Sequence, residues 1–260
     1  MTAAAAGVAF RARGARVELG GQGVLDGLDL ELRPGERVAV LGPSGAGKTT
    51  LLRLLGAAID PTAGRLEIDG RSPRDGNPEV RRRIRAELGF VHQDHALIPQ
   101  VRVATNVIAG ALGRRSRWSA LRSLVRPTSD DLERAHQILD SLGVGELLFR
   151  RSDRLSGGEA QRVAIARALF QEPRALLADE PVASVDPARA QDLLERVIDL
   201  ARERDATLVA SLHDLELARR LFPRILGLRA GRLVFDRRRE ELDPRELDDL
   251  FRFEESPQSG

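Results

Sequence analysis

The sequence predicts an α/β chain built on a mainly parallel sheet, with a helical insertion in the middle and antiparallel strands at both ends. Three observations carry this. Short, continuously apolar runs alternate with longer helical patterns, as in sheets covered by helices on both faces. From about residue 100 to 170 the apolar runs stop and only helical periodicity remains. The first 35 residues and "GRLVFD" (231–236) look like antiparallel edge strands.

In chain order, the edge strands lead to a strand in "RVAVLG" (37–42) and a helix over 48–57. A second buried strand is "LGFVH" (88–92). The helical middle follows, broken by "RPTSDD" and "LGVG". Strands return in "ALLADE" (175–180), "TLVASLH" (207–213) and "RILGLR" (224–229), separated by helices over 187–204 and 214–221. "DPRELDDLF" (243–251) reads as a short capped helix, and a polar tail occupies 252–260. Residues 1–251 are therefore expected to form one domain, with the helical insertion over about 95–170. No internal repeat at a fixed period is visible.

Composition narrows the function. Hydrophobic residues make up 42% of the chain and charged residues 31%, ordinary values for a chain with a core and solvated helices. The isoelectric point near 10.1 accompanies a net charge of only +2. All but one of the 41 basic residues are arginine, and there is no tyrosine or cysteine. Little but arginine then holds charge at high pH, so the isoelectric point reflects arginine usage rather than a strong field at neutral pH. Charge alone gives no reason to expect nucleic acid as a partner. Without cysteine there are no disulfides and no Cys-ligated zinc. "MTAAAAGVAF" lacks the basic and long apolar regions of a signal peptide, and no stretch approaches 18 uncharged apolar residues. A soluble, cytoplasmic chain is expected.

The single lysine, Lys48, stands in "GPSGAGKTT" (42–50), which fits G-x-x-x-x-G-K-[ST] between a predicted strand and a predicted helix. Gly42, Gly45 and Gly47 let the backbone curl. Successive N–H groups of the loop, which runs from Pro43 and Ser44 through Ala46 to Thr50, then point at phosphate oxygens, joined by the positive end of the following helix. Lys48 reaches the β- and γ-phosphates as a compact charge, which arginine's planar fork does not mimic. Thr49 offers a hydroxyl to Mg²⁺. The predicted cofactors are thus ATP and Mg²⁺.

Two further stretches define the chemistry. "ALLADEPVASVD" (175–186) ends an apolar strand in Asp179 and Glu180. Asp179 is placed to hold Mg²⁺ through water, and Glu180 to orient and deprotonate an attacking water. "RLSGGEAQRVAIARAL" (154–169) sets Ser156, Gly157 and Gly158 at the start of a helix, a second anion-binding terminus with no lysine. One chain thus carries two phosphate-facing surfaces. Two copies meeting head to tail explain this most simply.

With these residues the chain resembles the ATP-binding subunit of an ABC transporter. Five elements stand in that family's order: 42–49, Gln93 after a strand, "LSGGE" (155–159), "ALLADE" (175–180), and His213 ending a strand. The resemblance covers roughly 17–236 and implies a P-loop NTPase core with an antiparallel β subdomain and an inserted helical subdomain. It implies that Gln93 senses Mg²⁺ and links the site to the membrane partner. It further implies that Ser156, Gly157, Gly158 and Glu159 contact the ATP of a second copy, that Asp186 crosses the dimer interface, and that His213 touches the γ-phosphate. The implied partners are a second copy, a separate membrane permease and, indirectly, a binding protein, with the chain peripheral on the cytoplasmic face of the inner membrane.

Within the family, "NVIAGALGRRSRWSALRSLVRP", "LADEPVASVDP", "SLHDLELARR" and "ILGLRAGRLVFD" resemble the ATPases of phosphonate importers. Energising import of phosphonate-like anions is the expected function. An ABC-type subunit of a carbon–phosphorus lyase assembly stays open as an alternative, as does the ATPase of another small ABC transporter handling a phosphate ester, phosphite or lipoprotein release. A DNA-repair ATPase would need a coiled-coil or zinc insertion that the sequence lacks.

Trp118, Leu121 and Val125 form an apolar stripe at helical spacing within 114–126, flanked by arginines. It either packs on the insertion's own core or borders the permease and membrane. Three positions depart from the family's pattern. Leu19 stands where an aromatic residue usually stacks on adenine, His92 precedes Gln93, and Val185 replaces a leucine. Phe10 and Arg16 are the other candidates for covering the base.

Overall fold

In the computed structural model, which describes residues 7–75, 77–114, 122–123 and 126–251, the strands form two sheets. The larger contains β3 (Arg37–Leu41), β5 (Leu88–Val91), β6 (Ala175–Asp179), β7 (Thr207–Ser211), β8 (Arg224–Arg229) and β9 (Arg232–Arg238). Its order is β5-β6-β7-β3-β8-β9, parallel except for the β8–β9 hairpin at one edge. The smaller is antiparallel, in the order β2-β1-β4, from β1 (Phe10–Leu19), β2 (Gln22–Leu32) and β4 (Ala63–Ile68). The first 35 residues are antiparallel, as expected. They form a separate sheet in which β1 is central, because β4 pairs with its far side. β4 escapes sequence reading because only Leu66 and Ile68 of its six residues are buried.

The parallel strands alternate between two cores. Ala39 and Leu41, Leu176 and Ala178, and Leu208 and Ala210 face one. Val38 and Val40, Ala175 and Leu177, and Val209 face the other. Both faces are covered, so these strands read as unbroken apolar runs. The second core is closed by α1 (Lys48–Leu55) and the antiparallel sheet. The first receives α3 (Val103–Ile108), α4 (Ser129–Ser141), α5 (Gly157–Phe170), α6 (Pro187–Glu203), α7 (Leu215–Leu221) and α8 (Pro244–Phe251). α2 (Pro78–Ala86) precedes β5. It went unread in the sequence, although Asn77 caps it, accepting the Val80 N–H at 2.9 Å, and proline follows at the first helical position.

The two breaks in the helical middle are helix ends. In "RPTSDD", Thr128 caps α4 by accepting the Asp131 N–H at 3.1 Å; in "LGVG", Gly143 turns the chain with φ of 73°. Between residues 100 and 170 the described residues contain no strand, as expected. Asp243 accepts the Arg245 N–H at 2.8 Å and starts α8. The alanine run at 1–6, the tail at 252–260 and the stripe of Trp118, Leu121 and Val125 lie outside the described residues. Among the described residues no helix is long and apolar enough to cross a membrane.

Candidate active site

The parallel strands deliver the predicted residues at their C-terminal ends, where ligands bind in open α/β sheets. Residues 42–47 turn from β3 into α1. At Gly42 the backbone passes so close to β8 that a Cβ would lie 2.1 Å from the Leu228 carbonyl oxygen. Gly47 holds φ at 104° to begin α1, a conformation that side chains strongly disfavour. Lys48 folds back over this turn. Its Nζ donates to the carbonyl oxygens of Gly42 at 2.7 Å and Pro43 at 3.1 Å. The ammonium is buried and, among the described residues, makes no ion pair. Burial pulls its pKa below the ordinary lysine value, and Glu180 and Asp179 partly restore it. A buried cation held only by carbonyl dipoles fits an anionic ligand such as a phosphate.

Glu180 lies just beyond β6, with φ of 50° in the left-handed region. Both of its carboxylate oxygens are engaged. Gln93 Nε2 donates to Oε2 at 3.0 Å, and His213 Nε2 lies 2.5 Å from Oε1. The fold thereby joins three residues that the sequence holds far apart. Asp179, the last residue of β6, is almost fully buried, while Thr49 is half-buried in the first turn of α1.

Sequence reasoning missed Ser211. It sits opposite Asp179 in the β6–β7 register and is fully buried. Its hydroxyl donates to Asp179 Oδ1 at 2.7 Å and accepts the Glu180 N–H at 2.9 Å. One side chain thus orients both acidic residues. The available signal was a hydroxyl at the end of an otherwise apolar strand, two residues before His213.

The structure does not bring the second phosphate-facing surface into this cluster. Ser156 is exposed and caps α5. Its Oγ accepts the Glu159 N–H at 3.4 Å, while Glu159 accepts the Ser156 N–H at 2.7 Å. That backbone N–H, with help from Arg150, holds the Glu159 carboxyl below the usual range against the cost of burial. Gly157 and Gly158 face Ser184, a Cβ at Gly157 lying 3.4 Å from the Ser184 Cβ. Asp186 caps α6, accepting the Ala188 N–H at 2.9 Å, and is exposed.

A family model described as "ABC transporter" matches residues 25–183. The chain belongs to the ABC transporter family. It is 47% identical over 235 residues to the phosphonates import ATP-binding protein PhnC 2 of Pseudomonas aeruginosa, covering 90% of this chain and 87% of that one. Identity to PhnC of Pseudomonas putida is 44% over 248 residues, 95% and 91% of the two chains. Among solved structures, the ATP-binding cassette MJ0796 in a dimeric post-hydrolysis state with ADP and Pi superposes with a TM-score of 0.78 at 29% identity. The match covers 90% of this chain and 100% of that one. A nucleotide-free ATP-binding cassette, 22% identical with a TM-score of 0.77 over 94% of each chain, shares the fold.

Proposed function

We propose that this chain is the ATP-hydrolysing subunit of an importer for phosphonate-like anions. It works as a homodimer on the cytoplasmic face of the inner membrane, beneath a separate permease supplied by a binding protein. The observation that carries the reading is Glu180, held between Gln93 and His213 at the same end of the parallel strands as the Lys48 ammonium, which makes no ion pair among the described residues. The names of the relatives, phosphonates import ATP-binding proteins, support phosphonates as cargo. Residues 1–251 act as one ATPase unit in which about 95–170 is an insertion.

In this reading residues 42–50 hold the triphosphate through backbone N–H groups and Lys48. Glu180 takes a proton from water as the water oxygen bonds to the γ-phosphorus and the bond from that phosphorus to the ADP oxygen breaks. One carboxylate oxygen must be released for this, so Gln93 or His213 gives up its bond to Glu180 when the nucleotide is in place. His213 then turns to the γ-phosphate. Thr49, Gln93 and, through water, Asp179 are oxygen donors suited to Mg²⁺, which neutralises phosphate charge. No cluster of three His, Cys, Asp or Glu residues forms a metal cage among the described residues. The donor set therefore fits an ion that takes its remaining ligands from phosphate and water. Ser156, Gly157, Gly158 and Glu159 of one copy complete the site of the other, and Asp186 lies at the junction.

Two measurements test this. Glu180→Gln keeps nucleotide binding and loses hydrolysis by at least about a hundredfold, within the range general-base removal costs. Deleting the gene abolishes growth on a phosphonate as sole phosphorus source and leaves growth on phosphate intact. Unimpaired growth on the phosphonate would refute the cargo, and full activity of Glu180→Gln would refute the site.

A further inference from the structure

The loop that carries Gln93 is gripped by the helical insertion. Between β5 and α3, His95 and Ala96 both adopt left-handed backbone, with φ of 59° and 47°. Side chains there rarely settle without an outside constraint. That constraint comes from α5. The Arg167 guanidinium donates from Nη2 to the His95 carbonyl at 2.9 Å and from Nη1 to the Ala96 carbonyl at 2.5 Å. Arg167 makes no ion pair among the described residues, and burial draws its pKa below the ordinary value, with Asp94 opposing. Its charge is thus committed to two carbonyl oxygens. Charge-assisted bonds of this kind are the stronger class. The backbone of Arg167 is pinned too: a Cβ at Gly110 would lie 2.0 Å from its carbonyl oxygen.

The other end of the loop is held from the same side. Asn106 of α3 is buried, accepts the Ile98 N–H at 2.9 Å and donates to the Ile98 carbonyl at 2.9 Å. Its amide also donates to Ser152 Oγ at 2.7 Å. Gln93, at the near end, reaches across to Glu180 at the end of β6. The two anchors belong to the insertion, whereas the residue they position acts at the parallel sheet.

We propose that Arg167 is a positioning residue for hydrolysis, setting where Gln93 stands relative to Glu180 by clamping the His95 and Ala96 carbonyls. The inference rests on the ATPase reading above. Arg167 shares α5 with Ser156, eleven residues or about 16 Å along the axis at ~1.5 Å per residue. A shift of α5 thus reaches the loop of Gln93 through this guanidinium, which holds the end of the loop nearer to Gln93. Arg167 itself touches no reacting atom.

A kinetic cycle with Gln93 tests the assignment. Arg167→Gln is expected to lower kcat for Mg-ATP about tenfold or more, with KM and fluorescent-nucleotide Kd within about twofold and hydrogen exchange faster at residues 95–97. Arg167→Lys should recover part of kcat. In a Gln93→Ala background, Arg167→Gln should cost almost nothing further, because the residue through which it acts is gone. Additive losses in that background would overturn the proposal, as would unchanged kcat with a demonstrably loosened loop. If Arg167→Gln does not fold, the same cycle run with Arg167→Lys decides the matter. A wild-type chain that hydrolyses no ATP would instead reject the ATPase reading, so the two failures are distinguishable.

Discussion

Lys48 answers a question its rarity poses: why arginine serves everywhere else and not here. Its ammonium must lie inside a turn only a few residues wide and bond two carbonyls of that turn, at Gly42 and Pro43. A guanidinium brings a planar fork with five donors, too broad for the same space. Lys48→Arg is therefore expected to cut hydrolysis at least tenfold, about 1.4 kcal/mol, while the melting temperature stays close to wild type. Near-normal turnover would show that charge alone suffices.

Of the candidates for covering the base, Leu19 sits beside the Gly20–Gly21 turn at the tip of the β1–β2 hairpin and is 42% exposed. Phe10 is fully buried and offers no ring face to a ligand. Arg16 is ion-paired with Asp26 at 3.2 Å. Stacking on an aromatic side chain is worth about 1–3 kcal/mol per base, and Leu19 supplies apolar contact without a π-face. GTP should thus support hydrolysis within about tenfold of ATP, and Leu19→Tyr should tighten ATP binding. A strong preference for ATP that survives changes at Leu19 would place the base elsewhere.

Among the secondary-structure elements, arginine clamps hold the two sheets in register. Glu87, just before β5, accepts from Arg71 at 2.7 and 3.1 Å and from Arg174 at 2.9 Å, and Arg174 also pairs with Asp69 at 2.7 Å. This ties the exit from β4 to the entries of β5 and β6. Burial works to raise the Glu87 carboxyl, but the two guanidinium groups outweigh it and hold the carboxyl below its usual range. The sign follows directly. A carboxylate depressed in the folded state adds stability above its unfolded pKa of about 4.3, and that stability is lost as pH falls through the folded value. Glu87→Gln should cost about 1–3 kcal/mol near neutral pH, the scale for hydrogen bonds to charged groups. The difference should shrink as pH is lowered below the unfolded value, as read by denaturant melts at neutral and acidic pH. An equal loss at both pH values would make the contribution one of packing.

At the scale of the molecule, the proposed assembly depends on the two surfaces around Lys48 and Ser156. Ser156 and Glu159 bond each other within the cap of α5, and their neighbour Gly157 is exposed. Neither is hydrogen-bonded to residues 42–50 among the described residues. In the proposed head-to-tail dimer, a triphosphate held by Lys48 of one copy meets the α5 terminus of the other, and the γ-phosphate bridges them. The Glu180→Gln variant, which traps the bound state, should run as a dimer in size-exclusion chromatography with Mg-ATP and as a monomer without it. A monomer at saturating Mg-ATP would sink the sandwich.

What could be read along the chain is what local chemistry imposes on neighbouring residues. A phosphate cradle needs successive N–H groups and glycines, so residues 42–50 announce themselves. Strands buried on both faces must be apolar throughout, so "RVAVLG", "ALLADE" and "TLVASLH" do as well. The antiparallel sheet was only half legible, because β4 exposes most of its residues and its place beside β1 is set by pairing at long range. The site was legible as separate motifs and illegible as a cluster. Gln93 and Glu180 are 87 residues apart, and Ser211 and Asp179 are 32 apart. They meet because the parallel sheet sets β5, β6 and β7 side by side, although long helical connections separate them along the chain. Ser211 and Arg167 carry no motif of their own. Their roles arise from which carboxylate, N–H or carbonyl the fold sets within hydrogen-bonding distance, and only packing decides that.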